Sequence, residues 1–272
     1  MYLVRCLGNR FGILSGKWRL IKIGKRGQKI TTANRLGEIR KNKYGTEMKI
    51  IAYRKSDDID IQFLDEYGYI FEHQIYSNFK LGGIRNPYDK TVYGVGYLGE
   101  GKYKVYIDQD HLEPVYNVWR TLLGRVCTEK HREQFPAYAD CEVCEEWLCY
   151  QNFAEWWNAN MYHVGTERMH LDKDILIKGN KIYSPDTCLI VPQRINMLFL
   201  QKPNKYGLPN GIKPSASGKY EARYNHKYLG VYDSIKEAEV VHEKAKREAI
   251  KEVAEEYKSA IPNKVYEALL AW

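Results

Sequence analysis

Within "MHLDKDILIKGNKIYSPDTCLIVPQRIN", residues 169–196, His170, Asp172 and Asp174 stand at alternate positions and carry groups that bind cations or move protons. Alternate residues of an extended chain share a face. A strand over "RMHLDKDIL" therefore places His170, Asp172 and Asp174 on one side and Lys173 on the other. Two carboxylates beside an imidazole suit Mg²⁺ or Mn²⁺, and His170 or Asp174 would serve as base for an attacking water. The same residues could instead form a solvated edge, with Lys173 meeting a phosphate. Cys141-x-x-Cys144 has the spacing of half a zinc site, but Cys149 turns off that face of a helix. Cys127 and Cys188 are isolated, so zinc is not expected and the cysteines read as small buried hydrophobes.

Such a strand needs a frame, and the flanking pattern supplies one. In "EPVYNVWRTLLGRV", Val115, Trp119, Leu122 and Val126 fall on one helical face. "EEWLCYQNFAEWWNANM" repeats the spacing with Trp147, Tyr150, Phe153 and Trp157. After the first strand come a "KGNK" turn, a second strand at "CLIV", and a helix with Pro192 as its first residue. Residues 35–108 read as a β module with strands at "EMKIIAY", "DIDIQFL" and "GYIFEHQI". Ile59, Ile61 and Phe63 share the buried face of the second, and "TVYGVGYLG" with "KYKVYI" would add a hairpin. Residues 1–34 are basic, with a strand at "WRLIKI". A Pro/Gly/Asn/Ser-rich linker at 203–217 leads to strands at "KYEARYN" and "KYLGVYD". A helix from an N-cap at Ser234 to Tyr257 closes the pattern. The expected class is α+β in three parts: residues 1–108, 109–202 and 203–272.

Charge narrows the partner. The 272 residues carry a net +8, with 13 Lys+Arg against 2 acids in the first fifty. Residues 112–174 hold 6 against 11. A basic arm beside an acidic middle suits phosphate grip at one place and metal chemistry at another. Lys17, Arg19, Lys25 and Arg26 are the arm's candidate DNA contacts. No apolar run reaches the roughly 18–20 residues of a membrane span. The first residues lack the long apolar stretch of a secretion signal. A cytoplasmic protein, bacterial or from phage-infected cells, with reduced thiols is expected.

In the tail, Gly211-Ile212-Lys213, Gly218-Lys219-Tyr220, Ala222, Leu229-Gly230 and an "Asp-Ser-x-x-Glu-Ala" helix entry stand in order. This module resembles the ethylene-response-factor (APETALA-type) DNA-binding domain, which also occurs at the end of phage homing-type endonucleases. The resemblance implies a three-stranded antiparallel sheet packed on one helix, with Lys213, Lys219, Arg223 and Lys227 toward double-stranded DNA. Strand alternation puts Lys219, Glu221 and Arg223 on the open face and Tyr220, Ala222 and Tyr224 under the helix. The fork of Arg223 can span two acceptors of guanine. The plant family places more arginines here.

The segment 169–196 in turn resembles the HNH (ββα-metal) nucleases. Leu171-Asp172-Lys173 occupies the place of an apolar-Asp-His triplet, and Asn196 that of the closing Asn. "Ser-Pro-Asp-Thr-Cys" lies where the family often has "Pro-Glu-Asn-Leu". The resemblance implies a divalent ion held by Asp172, Asp174 and Asn196, stabilising charge on a phosphodiester. Lys173 stands where the family has its general-base His, and lysine is a poor base unless burial lowers its pKa by about three units. His170 or Asp174 would then replace it. Two readings follow: a metal-dependent DNA endonuclease, or a catalytically silent HNH-like DNA-binding protein, such as a regulator or an inhibitor of a host nuclease with a protein partner.

Overall fold

A computed structural model describes residues 35–200 and 204–272. The basic arm, including Lys17, Arg19, Lys25, Arg26 and the "WRLIKI" strand, lies outside the described residues. The first element is an antiparallel meander, β1 (Ile39–Lys41), β2 (Glu47–Lys55), β3 (Asp58–Phe63) and β4 (Ile70–Gln74), in that spatial order. Strict alternation in β3 buries Ile59, Ile61 and Phe63 completely, as the sequence pattern requires. They pack with Met48, Ile50 and Phe79, the last on the short helix α1 (Tyr76–Lys80). Asp89 pins the β1–β2 turn from the following loop. It accepts from Asn42 Nδ2 and Thr46 Oγ1, both at 2.6 Å.

The expected hairpin over residues 91–107 does not form a ladder and shrinks to isolated bridges at Val92–Gly96 and Tyr106–Leu112. The reason is competition from the 3₁₀ turn at Glu145–Leu148 and the helix that follows it. Tyr97 donates to Leu148 O, Tyr150 N donates back to Tyr97 O, and the Tyr150 hydroxyl bonds Lys104 O. Gly96 lies against Trp119 and Leu123 so closely that a Cβ would overlap the leucine. This chain is a lining for the helical core, with its backbone groups satisfied there.

That core is aromatic. Helix α2 (Pro114–Cys127) buries Trp119, Leu122, Leu123 and Val126. The short α3 (Glu129–Gln134) and strand β5 (Glu142–Val143) lead to a 3₁₀ turn at Glu145–Leu148 and helix α4 (Tyr150–Asn160). Trp147 enters from the 3₁₀ turn, not from the helix, and its carbonyl accepts from Trp119 Nε1 at 2.7 Å. Against these helices stand β6 (Met169–Asp172), β7 (Ile182–Tyr183), β8 (Leu189–Pro192) and α5 (Gln193–Phe199). Strands β6 and β8 pair antiparallel, with Asp172 opposite Leu189. Strand β7 is an addition to the expected strand–turn–strand pattern and runs parallel to β5. Pro192 ends β8 as the helix N-cap, one residue before the expected first turn.

The tail forms β9 (Ile212–Pro214), β10 (Tyr220–Tyr224) and β11 (Lys227–Tyr232), an antiparallel sheet with β10 central, followed by α6 (Ile235–Tyr257) and α7 (Asn263–Leu270). Ser234 and Glu237 make the reciprocal capping box that starts α6. Asn225 and His226 both have positive φ, as a two-residue hairpin turn requires. Ala222 and Ala238 are fully buried between sheet and helix. Farther along α6, Ile250, Val253, Ala254 and Tyr257 leave the sheet and pack on Leu189, Val191, Ile195 and Phe199. The hydrophobic core therefore continues across residue 202, and residues 36–272 make one compact unit of mixed α+β class.

Candidate functional site

Strand β6 divides its side chains between two surroundings. Met169 and Leu171 lean on the aromatic core, so His170 and Asp172 take the other side. The strand ends at Asp172, because its Oδ1 accepts the backbone N–H of both Asp174 and Ile175 at 2.8 Å. This turn corrects the expected alternation: Asp174 is not on the strand face with His170 and Asp172. It accepts instead from Lys173 Nζ at 2.7 Å, and that ammonium also donates to Asn180 O at 2.6 Å. The "KGNK" turn thus closes over Lys173, with Asn180 Nδ2 bonding back to Lys173 O.

His170, Asp172, Lys173, Asp174 and Asn196 all line one cleft of about 390 Å³. Its other walls bring residues that sequence spacing did not associate with it: Arg125 of α2, Lys178 and Lys181 of the turn, and Lys246 and Trp272 of the tail. Asp172 is 8% exposed, Lys173 9% and Lys246 6%. Lys246 stands over the Trp272 ring at 4.3 Å and near Phe199, and among the described residues no carboxylate pairs with it. Burial lowers its pKa, and the nearby Glu243 opposes that shift. A signal for it existed, since Lys246 interrupts the buried α6 stripe between His242 and Ile250 at four-residue spacing.

Burial raises the Asp172 carboxyl above its ordinary range, against the two backbone N–H groups that favour its charged form. Burial lowers His170, as do Arg168 and Arg125, while a hydrogen bond with the Gln193 side chain works the other way. The His170 Nε2 atom is buried without a partner. Burial also raises the thiols of Cys141 and Cys144, and that of Cys188 to about 12.

The ligand atoms of His170, Asp172 and Asp174 do not come within 4.8 Å of one another as a set. Among the described residues, Asp58, Asp60 and His73 are the one His/Cys/Asp/Glu trio that does. Arg54 already fills that cluster, bonding Asp58 and Asp60 through its guanidinium. In the cleft, Asp172 Oδ2, Asp174 Oδ2 and the Asn196 amide oxygen accept no hydrogen bond among the described residues.

On the sheet, Lys213, Lys219, Arg223 and Lys227 are exposed or half-buried, and Tyr224 turns under the helix to meet the His242 ring. The alternation read from the sequence therefore holds in β10. Glu221 sits between Lys213, at 3.3 Å, and Arg223, while Lys219 pairs with Asp233 at 2.7 Å. Arg223, Asn225 and His226 also border a groove of about 660 Å³ whose far wall is Arg194 and Met197 of α5. No family model, no curated protein and no solved structure matches this chain.

Proposed function

We propose that this chain binds double-stranded DNA. The sheet β9–β11 grips the duplex through Lys213, Lys219, Arg223 and Lys227, and the β6–β8–α5 cleft receives a backbone phosphate, as in an HNH-like core. Lys246 carries the reading. A buried ammonium without a carboxylate costs free energy, and an incoming phosphate offsets that cost. The same helix lids the sheet and delivers this lysine, so groove contact and phosphate contact come from one rigid element.

Binding without cutting is favoured over hydrolysis, because Lys173 holds the place of the family's base and also engages Asp174. The second reading keeps a specific observation in its support: His170 Nε2 has no partner in a cleft that also holds Asp172 and Asn196. In that reading Asp172 and Asn196 would hold Mg²⁺ or Mn²⁺, which would supply charge stabilisation at the phosphate. His170 would accept a proton at Nε2, and Lys173 would stay tied to the turn.

Duplex retention measured against salt tests the binding reading. Affinity is expected to fall steeply as salt rises, and Lys246→Met to lower the slope by about one phosphate contact, near 0.9. A flat salt dependence overturns the reading. Plasmid incubated with Mg²⁺ or Mn²⁺ separates the two modes: nicks abolished by Asp172→Ala would establish hydrolysis, and intact plasmid with retained binding would establish the silent core.

A further inference from the structure

Beside the cleft lies a second cavity of about 160 Å³, and the two share Arg125, His170, Leu171 and Tyr183 in their walls. One side of it is α2. The buried face of that helix carries Trp119, Leu122 and Val126, and the adjacent stripe presents Asn117, Thr121 and Arg125 at four-residue spacing. The facing side is β6 with the residue before it, contributing Arg168 and His170. Neither Arg125 nor Arg168 has a carboxylate partner among the described residues, and Arg125 rests over the Tyr138 ring at 5.2 Å.

We infer that this cavity is a phosphate subsite, formed by the guanidinium groups of Arg125 and Arg168, the Thr121 hydroxyl and the Asn117 amide, with the His170 ring in its wall. The set contains two permanent cations and neutral donors, and no carboxylate lines the cavity. That composition repels a metal ion and suits a planar-fork grip on phosphate oxygens. The volume takes one phosphate group, not a nucleotide. The wall shared with the cleft places the two sites next to each other, so the ligand is the phosphodiester following or preceding the one in the cleft. This last step rests on the DNA-binding reading; the anion site itself does not.

Two measurements on the full chain test it. Inorganic phosphate, titrated against protein labelled at histidine, should shift the His170 ring resonances in the wild type, and the Arg125→Gln/Arg168→Gln double variant should lose most of that shift. The double variant should also lower the salt slope of duplex binding by about one to two. Phosphate shifts that are absent, or equal in wild type and variant, overturn the subsite even where DNA still binds. Phosphate shifts without duplex binding keep the subsite and sink the DNA reading instead. Arg168→Gln alone changes an exposed side chain, so it carries the same test, at about half the slope change, if the double variant does not fold.

Discussion

Asp172 is a carboxylate kept where burial disfavours its charge, and the energetics follow from two opposing contacts. Desolvation raises its pKa, while the N–H groups of Ile175 and Asp174 hold one oxygen. A native pKa above the unfolded one means that the native state binds this proton more tightly. Stability from this group is complete at low pH and declines as pH rises from the unfolded carboxyl range through the raised native value. Asp172→Asn keeps an oxygen for both N–H groups and removes the charge. It is expected to raise stability at pH 8 by about 0.5–2 kcal/mol and by less at pH 4.5, read as urea midpoints. A variant less stable than the wild type at pH 8 would mean that the charged form is held favourably. His170 and Asp172 were legible because alternation is a local property. Asp174 was not, because the Asp172 side chain ends the strand by capping the backbone. Lys246 was also missed, because it comes from an element more than seventy residues away.

Elements with local signals were read closely. Ser234 and Glu237 mark the start of α6 by side-chain chemistry within one turn, and the Trp, Leu and Val spacing of α2 needs only helical periodicity. Elements that depend on partners were not: β7 exists because β5 lies beside it, and the residue 91–107 hairpin is absent because the 3₁₀ turn at Glu145–Leu148 and α4 take its backbone groups. Gly211 shows what such proximity demands. Its φ is +76°, and a Cβ there would overlap the His242 ring of α6 and the carbonyl of Arg223. It also accepts the Arg223 N–H at 2.8 Å, which fixes the entry of β9. Gly211→Ala adds both left-handed strain and a clash with backbone. It should cost roughly 1–3 kcal/mol in chemical unfolding and weaken duplex binding, because β10 carries Arg223. Wild-type stability and affinity in that variant would show that the β9 entry relaxes without disturbing the sheet.

At the scale of the molecule, α6 belongs to two cores. Ala238 is packed under the sheet, whereas Ile250, Val253, Ala254 and Tyr257 complete a cluster with β8, α5 and α7. The linker rich in Pro, Gly, Asn and Ser marks an expected boundary at residue 202, but a connecting segment says nothing about where the helix after it will pack. Removing the tail would expose Val191, Ile195 and Phe199, so the cleft depends on residues beyond 204 for its shape. Ile250→Ala tests that dependence at a single side chain that is 1% exposed. The truncation should cost about 2–5 kcal/mol. Under native conditions, amide exchange should then rise in Leu189–Phe199 as well as in α6, since both close the same cluster. The meander core of Met48, Ile50, Ile59, Ile61 and Phe63 is a separate cluster, and its protection should change less. Exchange that rises in α6 while Leu189–Phe199 keeps its protection would show that the cleft stands without the tail. The coupling proposed between groove contact and phosphate contact would then lose its mechanical basis.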